Sequence, residues 1–529
     1  MNENLPLSVD TGRGFSIYYQ GKNLYSKYDP LKTPEKIAVN TTLLEETLYI
    51  IPSPLLLYGI DILLAKLPKS SYIIGIEIDQ NLMRHSITIN KQLSHDFFKI
   101  VRIDSREQIK MVIEDLGTWR FRRCELLPLN NGYNLYKDQY DYLYNFASFL
   151  FSTYWRNRLT INKLGKLWIN NILINLQFTS VKGPENKGKP VVICGAGASL
   201  EESLTFLKSK REKLYIMAVD TALSPLLEFG IKPDIVFALE SQFYNLGDFY
   251  NSKNLDIDLM TDITGYPQVC RNLKGKTYFF SSDFFENTLL ERLYNNDKIT
   301  LKIPPLGSVG VAAVYSALQL FKTNIFLTGL DFSFIPGKSH CKGSPFSNTM
   351  LRTTNRVKPP GSFNVAMNRH LLYRPGKLPA TRIITDNVLE SYAKLLIDII
   401  SQEKRVYDLT TTGYPLGATP VLLDEVDTLL KSDNTIPSKN ISETSCPFDP
   451  VIFYEREKEL LSHLISEWDH FNLSSLEEIP DSLMDALKNV DYIYIDFPDR
   501  LPHPIREISF ISRAVKTARL YIQQINKLY

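Results

Sequence analysis

The middle of this chain predicts a doubly wound α/β fold, and three observations carry the prediction. Short apolar runs, VVIC (191–194), LYIMAVD (214–220) and IVFALE (235–240), alternate with segments of helical period. Glycine-rich turns join strand to helix at CGAGASL (194–200) and LGSVG (306–310). The strand-like runs are short and apolar between amphipathic helices, the pattern of parallel strands covered on both faces.

The elements follow in order. FSIYYQGKNLYSKYDP (15–30) alternates apolar and polar residues around QGKN and predicts a hairpin. LYIIPSPLLLYGI from 48 predicts a buried strand entering a turn, IDILLAKLP a short helix, and SYIIGIEID (71–79) a second strand. NLMRHSITINKQL (81–93) then reads as helical, which gives a β-α-β order and a parallel sheet. DQYDYLYNFASFLFSTYWRNRL (138–159) is aromatic-rich and helical in period. VKGPENKGKP (181–190) is turn-rich and marks the clearest boundary.

Beyond it, ASLEESLTFLKSKR predicts a helix, and TALSPLLEFG a second, closed by Gly230. KTYFFSS (276–282) is a strand, LGSVGVAAVYSALQLF a helix, and NIFLTGLDF the strand after it. NVLESYAKLLIDIISQEK (387–404) is a helix and VYDLT a last strand. From about 421 the strands stop, and LLDEVDTLLK, REKELLSHLISEWDHF and ISFISRAVKTARLYIQQINKL read as helices. The expected organisation is therefore an N-terminal α/β domain (1–185), a central Rossmann-like domain (186–420) and a helical C-terminal region (421–529).

Composition narrows the function classes. At 529 residues the chain has room for two to four domains. Its 60 basic and 58 acidic side chains leave a net charge of +2, which argues against bulk attraction to nucleic acid or membrane. The five cysteines, Cys124, Cys194, Cys270, Cys341 and Cys446, are scattered and form no CxxC pair, so neither a disulfide framework nor a zinc site is expected. MNENLPLSVD has no basic or apolar leader pattern, and the most apolar stretch, IIPSPLLLYGIDILLAKL (50–67), is short and contains Asp61 and Lys66. The expectation is a cytoplasmic protein without membrane insertion.

The chemistry is expected at the strand ends, because ligands of doubly wound sheets sit beyond the carboxyl edge. Gly195 and Gly197 allow a tight turn, and Ser199 with Glu202 fits a capping box that starts a helix at Leu200. Free N–H groups over Gly197–Leu200 would then hold a phosphate. The rival reading is a plain strand-to-helix turn: Leu200 stands where a dinucleotide fingerprint has its third glycine, and no GK[ST] follows. Asp220, Glu240, Gln242, Asn245, Ser308, Val309, Gly310, Gly329 and Asp331 fall at the same edge. Each alone is more often a cap or turn residue; their convergence points to a nucleotide site.

In the segment 186–420 these residues carry a family likeness. CGAGASL, MAVDTALSPLLEFGIKPDIVFALE, PPLGSVGVAAVYSALQLFKTNIFLTGLDFSF, GKSHCKG (337–343) and VYDLTTTGYPLGATP occur in that order. The segment resembles the central domain of the motility accessory factor (Maf) glycosyltransferases, which modify flagellin, and through it bacterial sialyltransferases that use CMP-activated donors. GKNLYSKYDPLKTPEK and the β-α-β around LYGIDILL and IGIEID are similar to the Maf amino-terminal domain. Departures are Ala198 where proline is usual, LDFSF in place of D-L-A-Y, and an unmatched C-terminal region. The archaeal MptE-like pterin pyrophosphokinases share the central domain.

The resemblance implies an inverting transfer of a sialic-like nonulosonic acid, pseudaminic or legionaminic, from a CMP-sugar to Ser or Thr of flagellin. No cofactor is then required, because CMP leaves readily; magnesium remains an option. A base of near-neutral pKa is needed, and histidine fits. His340 lies in the matched GKSHCKG element and ranks first; His370, in MNRHLLYRPGK, is the second candidate. Arg352, Arg356, Arg374 and Arg382 lie in the polar stretch 343–386, where a sugar carboxylate would find a bidentate partner, although a solvated basic loop reads the same way. That stretch also has the length of an active-site lid.

Two rival functions stay open. A pyrophosphokinase would use ATP and magnesium, with Asp220, Glu240 and Asp331 available to the metal. A non-enzymatic flagellin-binding factor would keep the central fold as scaffold. The N-terminal unit has only Gly59 in its turn and reads as structural or protein-binding; Glu77 and Asp79 would otherwise be ribose candidates.

Overall fold

The computed structural model describes residues 5–84, 95–178, 183–296, 298–299, 301–335, 338–359, 370–431, 448–473 and 478–528. Most of the helix expected over 81–93, the start of the expected linker and part of the 343–386 stretch lie outside these residues. The chain divides into two compact units, Met1–Asn162 and Lys163–Tyr529.

The first unit opens with the expected hairpin. β1 (Leu7–Asp10), β2 (Phe15–Tyr19) and β3 (Lys22–Asn23) pair antiparallel. Gln20 and Gly21 turn between β2 and β3 with φ of 47° and 77°, a double left-handed turn that matches strand twist. A parallel sheet follows, built from β4 (Thr47–Pro52), β5 (Tyr72–Glu77), β6 (Phe98–Arg102) and β7 (Arg123–Leu126) in the order β6-β5-β4-β7. Every residue of β4 and β5 is buried, because both faces are covered. Leu48, Ile50, Ile74 and Ile76 pack with Ile109 and Ile113 of the helix Arg106–Leu116 and with Tyr140 and Leu143 of the helix Lys137–Asn175. Tyr49, Ile51 and Ile73 face the other way, onto Ala38 and Ile60 of two short helices.

The second unit is built on nine parallel strands. These are β8 (Val191–Cys194), β9 (Tyr215–Val219), β10 (Ile235–Ala238), β11 (Asp258–Asp262), β12 (Thr277–Ser282), β13 (Leu301–Ile303), β14 (Ile325–Thr328), β17 (Val406–Asp408) and β18 (Thr419–Pro420). Between β14 and β17 a separate antiparallel hairpin intervenes, β15 (Leu371–Pro375) with β16 (Arg382–Asp386). The large sheet runs β13-β12-β11-β10-β9-β8-β14-β17-β18. The chain thus steps outward from β8 to β13, then returns to place β14 on the other side of β8. That reversal makes the β8/β14 boundary the topological switch point. The strands β11 and β13 and the hairpin were not expected. DLMTD, for example, carries an aspartate at each end, and only pairing with β10 and β12 makes it a strand.

The C-terminal helices belong to the same compact unit as the sheet. Pro450–Leu473 is tied to the helix Thr288–Asn295 by an ion pair in which Arg292 grips Glu457 with two bonds of 2.5 and 2.7 Å. Glu457 is fully buried and also accepts from the Tyr492 hydroxyl at 3.2 Å. A buried carboxylate needs such partners, so the region after 421 is anchored onto the sheet layer rather than standing apart. Cys124, Cys194, Cys270 and Cys341 are free and buried. Among the described residues no helix is long and apolar enough to cross a membrane.

Candidate active site at the switch point of the nine-stranded sheet

The turn after β8 is stitched to the turn after β14. Gly195 N donates to Thr328 O at 2.8 Å, and Gly197 N to Gly329 O at 2.8 Å. Ser199 N donates to Asp331 Oδ2 at 2.9 Å, and Ser199 Oγ donates to Asp331 Oδ1. The glycines serve this close approach. A Cβ on Gly197 would lie 2.5 Å from the Asp331 carboxyl carbon, and one on Gly329, at φ 68°, would overlap the Gly195 carbonyl. The expected phosphate cradle over Gly197–Leu200 is therefore corrected. The N–H groups of Gly197, Ser199 and Leu200 are all donated inside the chain, and the Asp331 carboxylate stands at the start of the helix Leu200–Ser209. A carboxylate there satisfies the same orphan donors and helix dipole that a phosphate would.

The capping box is corrected too. The Ser199 side chain makes no cap bond. Glu202 instead accepts from Thr411 N at 2.9 Å, Thr411 Oγ1 at 3.0 Å and Thr412 Oγ1 at 2.5 Å, which fixes the loop after β17. Burial raises the Asp331 pKa, while the Ser199 bonds and the nearby Lys377 ammonium oppose the rise.

A second corner lies at the ends of β9 and β10. Asp220 is buried; its Oδ1 accepts from Thr221 N at 2.8 Å and its Oδ2 from Asn245 Nδ2 at 2.8 Å. The same Asn245 nitrogen lies 3.4 Å from Asp248 Oδ2. Asn245 Oδ1 is buried with no hydrogen-bond partner. Burial raises the Asp220 pKa; burial and the charge of Asp220 push Asp248 up to about 7. Glu240 is exposed and accepts from Gln242 N at 3.0 Å, so it shapes the loop between them. Two asparagines one helical turn apart brace this edge from beneath. Asn171 Nδ2 donates to the carbonyls of Ser241 and Thr264, and Asn175 Nδ2 to those of Ile263 and Gly265, all at 2.8–2.9 Å.

The third corner is the start of the helix Val309–Leu320. Its cap residue, Ser308, makes no side-chain bond, and its first turn has no acid. The N–H groups of Val309, Gly310 and Val311 have no recorded acceptor among the described residues. Leu330 lies against both Gly195 and Gly310: a Cβ on either would come within about 2.6 Å of its Cδ2. This helix start and the β8 turn therefore flank one residue.

The histidines separate. His340 sits in a segment docked on the β8 turn, since Cys341 N donates to Ala196 O at 2.9 Å and Lys342 N to Glu201 Oε1 at 2.7 Å. Its Nδ1 lies 3.2 Å from Ser339 Oγ, and its ring stands 5.5 Å from that of Phe346. Nε2 has no hydrogen-bond partner among the described residues, and burial lowers the imidazole pKa below its ordinary value. His370 is exposed at the start of β15.

The arginines do not converge. Arg374 is corrected as a sugar-carboxylate ligand, because both its Nε (2.6 Å) and Nη2 (3.2 Å) are taken by Glu390. Arg352 and Arg356 are exposed. The helix that carries Arg352, Pro345–Thr353, starts beside Gly343, whose Cβ position faces Glu228 at the far end of the helix Asp220–Glu228. The cation that does reach the switch point was not singled out in the sequence: Lys377, mostly buried, bonds Asp408 Oδ2 at 2.7 Å and Thr410 Oγ1 at 2.6 Å. A signal existed, since Asp408-x-Thr410 at a strand end repeats the Asp262-x-Thr264 turn after β11.

Residues 166–337 match the family described as 6-hydroxymethylpterin diphosphokinase MptE-like. The whole chain is similar in structure to the MAf glycosyltransferase from Magnetospirillum magneticum AMB-1, with a TM-score of 0.59 at 13% identity over 99% of this chain and 86% of that one. The chain shares the Maf glycosyltransferase fold. Two proteins of Treponema pallidum (strain Nichols), both described as uncharacterized, are similar in sequence. One is 25% identical over 99% of this chain and 95% of its own length. The other is 32% identical over 90 residues, 16% of this chain and 43% of that relative. The MptE-like match overlaps the first part of the 186–420 segment in which the motifs lie, and the structural likeness takes in the C-terminal region that the motifs left unmatched.

Proposed function

We propose that the chain is an inverting glycosyltransferase that moves a sialic-like nonulosonic acid from CMP to a Ser or Thr hydroxyl of flagellin, with the cytoplasm as its compartment. One observation carries the reading. Of the helices that follow β8, β9 and β13, the first meets Asp331 and the second begins with Asp220, whereas Val309–Leu320 has no acid in its first turn and its first three N–H groups have no recorded acceptor among the described residues. One open helix start beside a nucleotide-type switch point suits a nucleoside monophosphate leaving group. The likeness of the whole fold to a protein named as a glycosyltransferase supports the same class.

In this mechanism the first-turn N–H groups of Val309, Gly310 and Val311 hold the donor phosphate. His340, neutral at pH 7 because burial lowers its pKa, takes the acceptor hydroxyl proton on Nε2. The oxygen attacks the anomeric carbon as the bond to phosphate breaks, and CMP leaves with the electron pair. Asp331 keeps the β8 turn in shape and excludes a second phosphate group from it.

The MptE-like match favours a second reading, ATP-dependent pyrophosphoryl transfer with magnesium. The closed β8 turn weighs against it, because a triphosphate needs more than one anion cradle. Among the described residues no group of three or more His, Cys, Asp or Glu is placed to hold a metal, so magnesium would rest on phosphate plus isolated carboxylates. Calorimetry with CMP and with ATP, each with magnesium and with chelator, separates the two. CMP binding in chelator, with CMP-sugar transfer to flagellin lost in His340→Ala, is the expected result. Saturable ATP–magnesium binding without CMP binding sinks the transferase reading. Full transfer by His340→Ala sinks the base assignment.

A further inference from the structure

We propose that Ser339 and Glu201 are positioning residues for the His340 base: Ser339 holds Nδ1 so that Nε2 is left for the acceptor hydroxyl, and Glu201 fixes the loop that carries both. The proposal rests on the base assignment above and deepens it.

The loop comes first. One oxygen of Glu201, Oε1, accepts from Lys342 N at 2.7 Å and pairs with Lys338 Nζ at 2.7 Å. These partners flank Ser339 and His340 in the chain. A single carboxylate in the first turn of the helix Leu200–Ser209 therefore closes the segment Lys338–Lys342 onto that helix. A backbone N–H bound to a carboxylate is a strong, charge-assisted bond, whereas the half-exposed Lys338 pair adds little by itself. Cys341 N adds a further tie, to Ala196 O at 2.9 Å. Tight turns bound the segment on both sides, with Lys338 N donating to Ile335 O at 2.8 Å and Ser344 N to Cys341 O at 3.3 Å. The His340 backbone is thus fixed from the β8 turn and the helix after it.

The ring comes second. Nδ1 lies 3.2 Å from Ser339 Oγ, and the Phe346 ring stands tilted against the imidazole at 5.5 Å. Phe346 is itself held in the first turn of the helix Pro345–Thr353, whose cap Ser344 accepts from Ser347 N at 3.2 Å. A base that takes a proton on Nε2 must begin with its own proton on Nδ1, and afterwards it is a donor at both nitrogens. Ser339 Oγ accepts from Nδ1–H in both states, so this bond survives the proton transfer.

The chemical type of the partner matters. A carboxylate in place of Ser339 would hold the ring equally well, but its charge would raise the imidazole pKa. A hydroxyl adds no charge. Burial then lowers the pKa unopposed, and the imidazole stays a free base at neutral pH. The site orients its base without protonating it.

The test uses the full chain. Selective 15N labelling of histidine, with His340 assigned from the His340→Ala spectrum, reads the tautomer directly. Wild type is expected to carry the proton on Nδ1 with Nε2 bare, and Ser339→Ala to lose that preference. Transfer from CMP-pseudaminic or CMP-legionaminic acid to flagellin gives the second readout. Ser339→Ala and Glu201→Ala should each lower kcat by about ten- to 100-fold with CMP affinity unchanged. Ser339→Thr and Glu201→Gln, which keep the accepting oxygens, should recover most of the rate. Ser339→Asp should move the acid limb of the rate profile up by about one to three pH units. Thermal melts establish that each variant is folded. A wild-type tautomer protonated on Nε2 overturns the proposal. So do wild-type rates in both alanine variants alongside loss of transfer in His340→Ala, which leaves the base assignment standing. Full transfer by His340→Ala removes the base assignment and this proposal with it.

Discussion

The two parallel sheets of this chain have the same switch geometry and opposite outcomes. In the first unit β4 is flanked by β5 and β7, as β8 is flanked by β9 and β14 in the second. In both, acids close the strands. In the first unit those acids are consumed by the unit's own side chains. Glu77, fully buried, accepts from Ser53 Oγ at 2.7 Å, Tyr140 OH at 3.1 Å and Asp79 N at 3.0 Å. Asp79 accepts from Tyr136 OH at 2.6 Å and Tyr19 OH at 2.9 Å, and these bonds outweigh burial to lower its pKa. Asn130 crosses the switch by donating to Ser53 O at 2.8 Å. The second unit closes its β8 turn and also spends Asp262 and Asp408 in this way, but among the described residues it leaves Asn245 Oδ1, His340 Nε2 and the start of the helix Val309–Leu320 without partners. The difference teaches that a switch point is a ligand site only where the chain leaves polar groups unspent.

Four measurements break or sharpen that contrast. The largest effect is expected at His340. Replacement by Ala should lower transfer by about 100- to 10,000-fold with CMP affinity unchanged, as loss of a general base does. The wild-type rate should fall on acidification only below about pH 6.5, because burial lowers the imidazole pKa.

Next comes Gly329→Ala, which forces a side chain into a left-handed residue already against the Gly195 carbonyl. It should cost about 3 kcal/mol or more in denaturant melts of the second unit. A mild effect there would show that the two turns are not locked together.

Third is the pH dependence of the first unit. Burial raises the Glu77 pKa from 4.5 to about 7. The folded state then holds a proton that the unfolded state has released, so this stabilisation is present below pH 4.5 and lost as pH rises through 7. Roughly 3 kcal/mol of local stability should disappear between those values, read by hydrogen exchange of β4 and β5 amides. Glu77→Gln should flatten the profile.

The smallest effect pairs the two units. Tyr136→Phe should cost about 1 kcal/mol in the first unit and leave CMP binding untouched. CMP affinity that fell with Tyr136 would mean that the first switch is also a ligand site.

Much of this was legible in the residues. Apolar runs with glycine turns specified parallel strands, because such runs are stable only when both faces are covered. The order of motifs put the expected site residues at the ends of β8, β9, β10 and β14 and at the start of the helix Val309–Leu320. The roles of particular groups were not legible. Ser199 and Glu202 have capping-box spacing, yet Asp331, 132 residues beyond Ser199, and Thr411 claim them. Arg374 looks like a carboxylate ligand until Glu390 is found beside it. The Asp408-x-Thr410 turn marked a strand-end acid, but nothing near Lys377 in the chain said that it would be the partner.

The sequence by itself determined the α/β class, the strand ends on which chemistry gathers and the glycines that let backbone meet backbone, because periodicity and steric freedom are local properties. Only the tertiary structure decided which N–H groups stay free, which carboxylates are spent and which histidine is half-buried against the β8 turn. Those are questions of what the distant chain brings within hydrogen-bond reach, and no window of sequence contains the answer.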